Sequence, residues 1–562
     1  MSHLSLARYL FTRIKQCGVN HVHGVPGDFS LKALDHIPPS GMKWVGGCNE
    51  LNAGYAADGY ARIRGLAALC TTYGVGELSA INAIAGAYAE HVPVIHVVGT
   101  PARHLQESRA CIHHSLGDGR LRVYADMYKQ VTTAQANLIN ARNAPELIDD
   151  VIQECVTRSR PVYIELPADM VDTQVSSDRL QNALKLSAET DGKEEAIQVK
   201  DILSQLYLAK RPLILVDRGD GVEHIIDEIN QFVCVSGIPT LTMPSGAGMI
   251  DASFKNYFGP HSGPIGKVNS LPYAQASDFV LAFGPMFADT QTLGWSTVPD
   301  SKVTTRIGRN SIDTFDKSTS IDSKTFMQKL IDELDVSRLE YPSNVGLESW
   351  RIPDELPSYD PSTPINQTNL WPRLNSYLQP DDIMLLAAST ALLAARDFAL
   401  PPRVKVIASG MWFSVGQMLP AAQGAALAQQ QSTGGRTVLL EGDGSFQMTA
   451  QELSTIIKLK LNVTVFLINN GGYAYERHIH GMDADYNDIA PWRYLEAASF
   501  FGADGDQVGN YRVTTIGDLD ALLANPTFQT KSGLKIVEII VGKYDIPEKL
   551  KEVFQKAGAQ TS

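Results

Sequence analysis

The chain has 562 residues, too many for one hydrophobic core and enough for about three domains of ordinary size. Its 48 basic against 61 acidic residues leave a formal charge of −13, which argues against a nucleic-acid grip or an anionic membrane surface as its main business. An anionic ligand would then be held by local devices, a metal ion or helix N-termini, against the overall field. Cys17, Cys48, Cys70, Cys111, Cys155 and Cys234 are scattered, with no C-x-x-C pair, as in a reduced cytoplasmic protein. The opening MSHLSLARYLFTRIKQ is too charged for a signal peptide, and no apolar run is long enough to span a bilayer.

In chain order, Leu4, Ala7, Leu10, Phe11 and Ile14 form a helical stripe closed by Gly18. The short apolar runs HVHGV, MKWVGG, LAALCTTY and PVIHVVGT follow, with helix-like stretches between them. Strand and helix taking turns predicts a parallel sheet covered on both faces. A polar stretch at about 174–195 is a linker, and PLILVD and FVLAFG begin a second alternating block. A proline-rich stretch at 341–372 is a second linker, and DIMLLA, KVIAS, TVLLEG, NVTVFLINN and KIVEIIV build a third block. The predicted architecture is α/β with three doubly wound parallel-sheet domains, at 1–180, 195–340 and 365–562.

The most informative segment runs from Thr437 to Glu476. TVLL is a buried-type strand and EGDGS a tight turn at its carboxyl end, with Thr449 and Glu452 spaced as a capping box opening a helix. NVTVFLI is the next strand, ending at Asn469 and Asn470. The 27 residues from Asp443 to Asn470 suit one right-handed β–α–β crossover, which would set both residues at neighbouring strand ends. Mg²⁺ wants hard oxygen ligands: Asp443 offers a charge, Asn470 a neutral carbonyl, and the flexible Gly471–Gly472 pair a backbone carbonyl, assigned to Gly472. The N–H groups of Gly444 and Ser445 would face phosphates. Each turn alone is commonplace; their combination at crossover spacing is not.

GDG, 24 residues, then NN resembles the thiamine diphosphate motif. A dinucleotide reading of YGVGELSA fares worse, because Ser79 stands where a third glycine is needed. Glu50, in GGCNELNAGYAADGYAR, opens a helix with Asn49 as its cap; a carboxyl there can hydrogen-bond an aminopyrimidine ring and promote the tautomer that removes the C2 proton, though it would also complement a helix dipole. Together with Asp28 in GVPGDFS, His113 and His114 in CIHHSLGDG, Glu476 after GGYAY, and the runs YAEHVPVIHVVG and ERHIHG, the pattern resembles the fungal pyruvate decarboxylases along nearly the whole chain.

That resemblance implies pyrimidine-binding, central and diphosphate-binding domains, and the cofactors thiamine diphosphate and Mg²⁺. It implies that Asp28, His113, His114 and Glu476 handle protons and the substrate carboxylate, and that Glu50 reaches cofactor held by a partner subunit. A homodimer is then the minimum unit and a homotetramer usual. Thr390, the Phe413–Ser414–Val415 backbone, Gly444, Ser445 and the run Gly471, Gly472, Tyr473, Ala474 and Tyr475 would line the cofactor, Val415 propping it in a bent form. The implied reaction turns a 2-oxo acid, pyruvate or a relative, into an aldehyde and CO₂. Carboligation and an inactive cofactor-binding homologue are the alternatives. Tyr475 replaces a β-branched residue, Ala387 and Ser389 stand in LLAASTA where relatives often differ, and Phe413 replaces a glycine. These changes point toward a modified substrate pocket, and VDRGDG lacks the cysteine linked in yeast relatives to substrate activation.

Overall fold

The computed structural model describes residues 3–186, 192–340, 345–347, 356–388, 390–395, 398–430, 434–505 and 508–551. Two compact units result, Met1–Ser187 with Pro420–Ser432, and Ala188–Leu419 with Thr433–Ser562. Among the described residues no helix is long and apolar enough to cross a membrane.

In the first unit, β1 (His3–Ser5) is followed by β2 (His21–Gly24), β3 (Lys43–Gly46), β4 (Ala67–Thr72), β5 (Val94–Thr100), β6 (Gln135–Asn137), β7 (Val162–Pro167) and β8 (Gln174–Ser176). β2 to β7 form a parallel sheet in the order β3-β2-β4-β5-β7-β6. β4, β5 and β7 are buried at every position, as parallel strands covered on both faces must be. Ala7, Leu10, Phe11 and Ile14 are buried as the helical stripe requires, but the helix begins at Leu6. Leu4 instead pairs with Val175 in an antiparallel ribbon, so the start of the stretch read as a linker is strand. Residues 187–191 of that stretch lie outside the described residues.

The central sheet holds β9 (Pro212–Val216), β10 (Thr240–Thr242), β11 (Tyr257–Pro260), β12 (Phe279–Phe283), β13 (Thr304–Ile307), β14 (Ser311–Asp313) and β15 (Ser318–Ser320), in the order β11-β10-β9-β12-β13-β14-β15. Its five leading members are parallel, and β14 and β15 add an antiparallel edge. The last sheet holds β16 (Ile383–Leu386), β17 (Lys405–Ala408), β18 (Thr437–Gly442), β19 (Val463–Asn469), β20 (Val508–Val513) and β21 (Leu534–Ile540), all parallel, in the order β17-β16-β18-β19-β21-β20. Numbered from its own beginning, each of the outer sheets reads 2-1-3-4-6-5. The first and third blocks of the chain thus share one strand order.

One helix crosses the boundary drawn from sequence. Met418–Gln429 lies within the third block of the chain, yet from Pro420 onward it packs with the first unit. Glycines permit this. A Cβ on Gly424 would overlap the Ala56 carbonyl oxygen, and one on Gly59 would overlap that of Ala421. Backbones meeting this closely leave no flexible atom to give way. Gly424→Val is therefore expected to cost about 1–3 kcal/mol of overpacking. The midpoint of thermal unfolding should fall by several degrees, and an unchanged midpoint would show that the two helices do not depend on this approach.

Candidate active site

Asp443 and Asn470, the residues expected to bind a cation, stand at the carboxyl edge of the last sheet, where α/β folds expose backbone ends to ligands. β18 and β19 pair in parallel with Gly442 beside Ile468, so Asp443 and Asn470 emerge side by side as the crossover spacing requires. Asp443 Oδ2 accepts from the N–H of Gly471 at 2.7 Å and of Asn470 at 3.2 Å, and Oδ1 accepts from Gly444 N–H at 2.8 Å. Gly471 has φ +74 and Gly472 φ +144, left-handed values that favour glycine. A Cβ on Gly472 would also collide with Asn487 O, and one on Gly444 would come 2.7 Å from the Tyr473 ring.

Three oxygens meet at this point. One terminal atom of the Asn470 amide lies 2.7 Å from Gly472 O and 3.2 Å from Asp443 Oδ1. Turned one way, the amide NH₂ donates to both; turned the other way, its carbonyl completes a cluster of three hard oxygen donors. A cation stabilises the second arrangement, and Mg²⁺, held by a few protein oxygens with phosphate and water completing the octahedron, matches this donor set. Burial pushes Asp443 up to about 6 against the pull of its backbone hydrogen bonds, and a bound cation reverses that balance toward the carboxylate.

The neighbouring loops are tied to the same edge. One helix opens at Asp443, directly behind Gly442, and a further helical turn opens at Ala450 after Thr449, as the spacing suggested, but without the side-chain cap. Thr449 instead donates its hydroxyl to Gly416 O at 2.7 Å, and Gly416 N–H donates to Ser445 Oγ at 3.0 Å. Ser445 donates in turn to Glu441 Oε1 at 2.8 Å, and burial raises that carboxyl to about 8. These bonds hold the half-buried Phe413, Ser414 and Val415 beside the diphosphate loop. Phe413 has φ +53, a left-handed value that glycine adopts freely; a phenylalanine there costs about 1–2 kcal/mol, partly offset by its N–H bond to Ser409 Oγ at 2.7 Å. Thr390 opens a helix after β16, while Ser389 lies outside the described residues.

After β19, Ala474–Ile479 forms a short helix with Glu476 exposed in its first turn. Tyr475 is buried with Ala474, Ile546 and Leu550. Arg477, inaccessible, donates to Asn487 O at 2.9 Å and pairs with Asp488, pinning that segment to the Gly472 turn.

Four of the residues expected to handle protons stand at the matching edge of the first sheet. Asp28 follows β2, Glu50 follows β3 and the histidine pair lies beyond β5. Asn49 caps its helix, accepting from Asn52 N–H at 2.8 Å, and places Glu50 first in the helix. Burial raises the Glu50 carboxyl despite a bond from Ser79. The histidine pair lies against Asp28: His113 Nε2 is 2.5 Å from Asp28 Oδ2 and His114 Nε2 3.9 Å from Asp28 Oδ1.

Between these groups runs the Gly74–Gly76 turn. A Cβ on Gly74 would overlap His114 O, and one on Gly76 would sit 3.0 Å from Glu50 Oε1. Its anchor, Glu77, escaped the sequence reading. Fully buried and raised to about 7 by desolvation, Glu77 accepts from Gly74 N–H at 2.7 Å and from the Tyr163 hydroxyl at 2.6 Å. The signal available was an acid directly behind a G-x-G turn; its partner Tyr163 is 86 residues away.

Comparison with known proteins agrees with this geometry. Three family models match: thiamine pyrophosphate enzyme, N-terminal TPP binding domain, over residues 4–120; the central domain over 199–324; and the C-terminal TPP binding domain over 388–539. Pyruvate decarboxylase of Aspergillus parasiticus is 42% identical, covering 97% of this chain and 96% of its own length. That of Aspergillus fumigatus is 40% identical over 99% and 97%, and isozyme 1 of Saccharomyces cerevisiae 35% over 98% and 98%. The chain belongs to the thiamine pyrophosphate enzymes, in the branch that contains the fungal pyruvate decarboxylases.

Proposed function

We propose that the chain is a carboxy-lyase that converts a 2-oxo acid, pyruvate or a close relative, and one proton into an aldehyde and CO₂. The observation that carries the reading is the convergence of Asp443, Asn470 and Gly472 oxygens in a chain alike, end to end, to pyruvate decarboxylases. Thiamine diphosphate, when bound, supplies the electron sink that decarboxylation of a 2-oxo acid needs.

Each residue then has a task. Asp443, Asn470 and the Gly472 carbonyl hold Mg²⁺, and the helix start at Gly444 and Ser445 receives the diphosphate. Thr390, the Phe413–Val415 backbone and the run Gly471 to Tyr475 line the cofactor. The Glu50 carboxyl, its protonated form favoured by burial, would be the group that holds and exchanges a proton beside the cofactor's aminopyrimidine ring. His113 Nε2 and Asp28 Oδ2 share a hydrogen bond and, with His114 and Glu476, deliver the proton that ends at the aldehyde carbon.

The N-terminal pyrimidine-binding, central and diphosphate-binding domains correspond in this reading to 1–180, 195–340 and 365–562. The working form is a homo-oligomer, a dimer at least and a tetramer in full, in which Glu50 of one subunit serves cofactor held by its partner. A cytoplasmic location is supported by the six cysteines, all among the described residues and none in a disulfide.

A panel of 2-oxo acids assayed for aldehyde, with an alcohol dehydrogenase as reporter, tests the function; no aldehyde from any of them would overturn it. Asp443→Ala is expected to weaken cofactor binding in Mg²⁺ by about 100-fold or more, measured by calorimetry. Unchanged affinity would remove the cation assignment. Glu50→Gln should lower turnover by about 10²–10⁴-fold with cofactor still bound, and wild-type turnover would take Glu50 out of the acid–base role.

A further inference from the structure

We propose that Asp28, His113 and His114 form a second cation site, selective for a borderline divalent ion such as Zn²⁺, and that an ion bound there inhibits the enzyme. The binding half of this proposal stands on geometry alone; the inhibition half rests on the proton-handling roles proposed above.

Neighbouring residues ordinarily send their side chains apart. His114 has φ +66, a left-handed conformation uncommon outside glycine, and its ring lies against that of His113 with centroids 4.7 Å apart. Surrounding contacts maintain this arrangement. His114 O accepts from the Tyr124 hydroxyl at 2.9 Å, and Gly74 leaves room for that carbonyl where any side chain would obstruct it. Phe29 stacks on the His113 ring at 5.0 Å and 17°, and meets His114 edge-on at 6.3 Å.

Both imidazoles thus present Nε2 to the two oxygens of one carboxylate, His113 at 2.5 Å and His114 at 3.9 Å. Donor atoms of the three side chains all lie within 4.8 Å of one another. Among the described residues no other three His, Cys, Asp or Glu side chains come this close. Metal–nitrogen and metal–oxygen bonds of about 2.0–2.2 Å around a tetrahedral ion separate donors by roughly 3.3–3.6 Å. The side chains are 57, 50 and 32% exposed for His113, Asp28 and His114, so small rotations bring them to that spacing.

Donor chemistry sorts the two ions. The set at Asp443 is all oxygen and suits Mg²⁺, whereas two imidazoles and one carboxylate suit Zn²⁺, Co²⁺ or Cu²⁺, with a fourth position open to water or a carboxylate ligand. An ion there takes up the lone pairs with which these groups would accept and pass protons. Turnover falls although cofactor and Mg²⁺ remain in place.

The test uses holoenzyme saturated with thiamine diphosphate and millimolar Mg²⁺, titrated with Zn²⁺ by calorimetry and with Co²⁺ by visible absorption. One Zn²⁺ per chain should bind despite the excess Mg²⁺, Co²⁺ should give a four-coordinate spectrum, and turnover should fall in step with occupancy and return on adding a zinc-selective chelator. His113→Gln, His114→Gln and Asp28→Asn should each weaken Zn²⁺ binding at least tenfold. Absent Zn²⁺ binding, binding abolished by rising Mg²⁺, or binding unaffected in all three variants would overturn the site. Stoichiometric binding lost in the variants but without effect on wild-type turnover would overturn the inhibition and leave the site standing.

Discussion

A buried carboxylate needs positive partners, and the whole diphosphate edge is arranged around that demand at Asp443. The residue is almost inaccessible, yet its supports are all backbone N–H groups, supplied by Gly444 in its own turn and by Asn470 and Gly471 from the adjacent strand. Those donors reach it because β18 and β19 run parallel in a register that brings Asp443 and Asn470 out together. Hydrogen bonds alone leave burial dominant, and the carboxyl remains raised. On the proposed function a divalent ion would supply the missing positive charge and would reconcile the crowding of Asn470 and Gly472 oxygens. On that reading cation binding and loop order would be one event in this part of the molecule.

Four adjacent strands contribute to that edge: β17 leads to Phe413–Val415, β16 to Thr390, β18 to Asp443 and β19 to Asn470. The first sheet uses the same four places differently. There, β3 leads to Glu50, β2 to Asp28, β4 to the Gly74–Gly76 turn and β5 toward His113 and His114. One topology thus carries two sets of groups, clustered oxygens and turn N–H groups at the edge of one sheet, titratable side chains at the edge of the other. On the proposed function both serve a single cofactor, which matches the requirement of 2-oxo acid decarboxylation for an electron sink and proton donors together.

Acid–base groups work only if their surroundings hold them in place and tune them. The Gly74–Gly76 turn does both: it abuts Glu50 on one side and the His114 carbonyl on the other. Its rigidity comes from Glu77, whose carboxyl has two donors, Gly74 N–H and the Tyr163 hydroxyl, while the Tyr128 hydroxyl donates to its backbone carbonyl at 2.5 Å. Glu50, by contrast, is only partly covered, with Ser79 as its side-chain donor.

Much of this is legible in the residues themselves. Apolar runs such as LAALCTTY and TVLLEG form the strands they predict, Asn49 caps where it should, and the interval from Asp443 to Asn470 delivers neighbouring strand ends. Each of these depends on local propensity or on a connection of fixed reach, and so is encoded within a few tens of residues. Other features have no local signature. The Thr449–Glu452 spacing reads as a capping box, yet the Thr449 hydroxyl is spent on Gly416, 33 residues back. The segment Pro420–Ser432 joins the first unit because Gly424 and Gly59 let backbones touch across more than 360 positions of chain. Asp28 meets the histidines across 85 residues, and only the strand order that folds β2 and β5 onto one sheet brings them together. Motif and periodicity determine which groups exist and at which strand ends they stand; the meeting of distant backbones and buried charges is decided by three-dimensional packing, since its energy resides in contacts that no stretch of sequence contains alone.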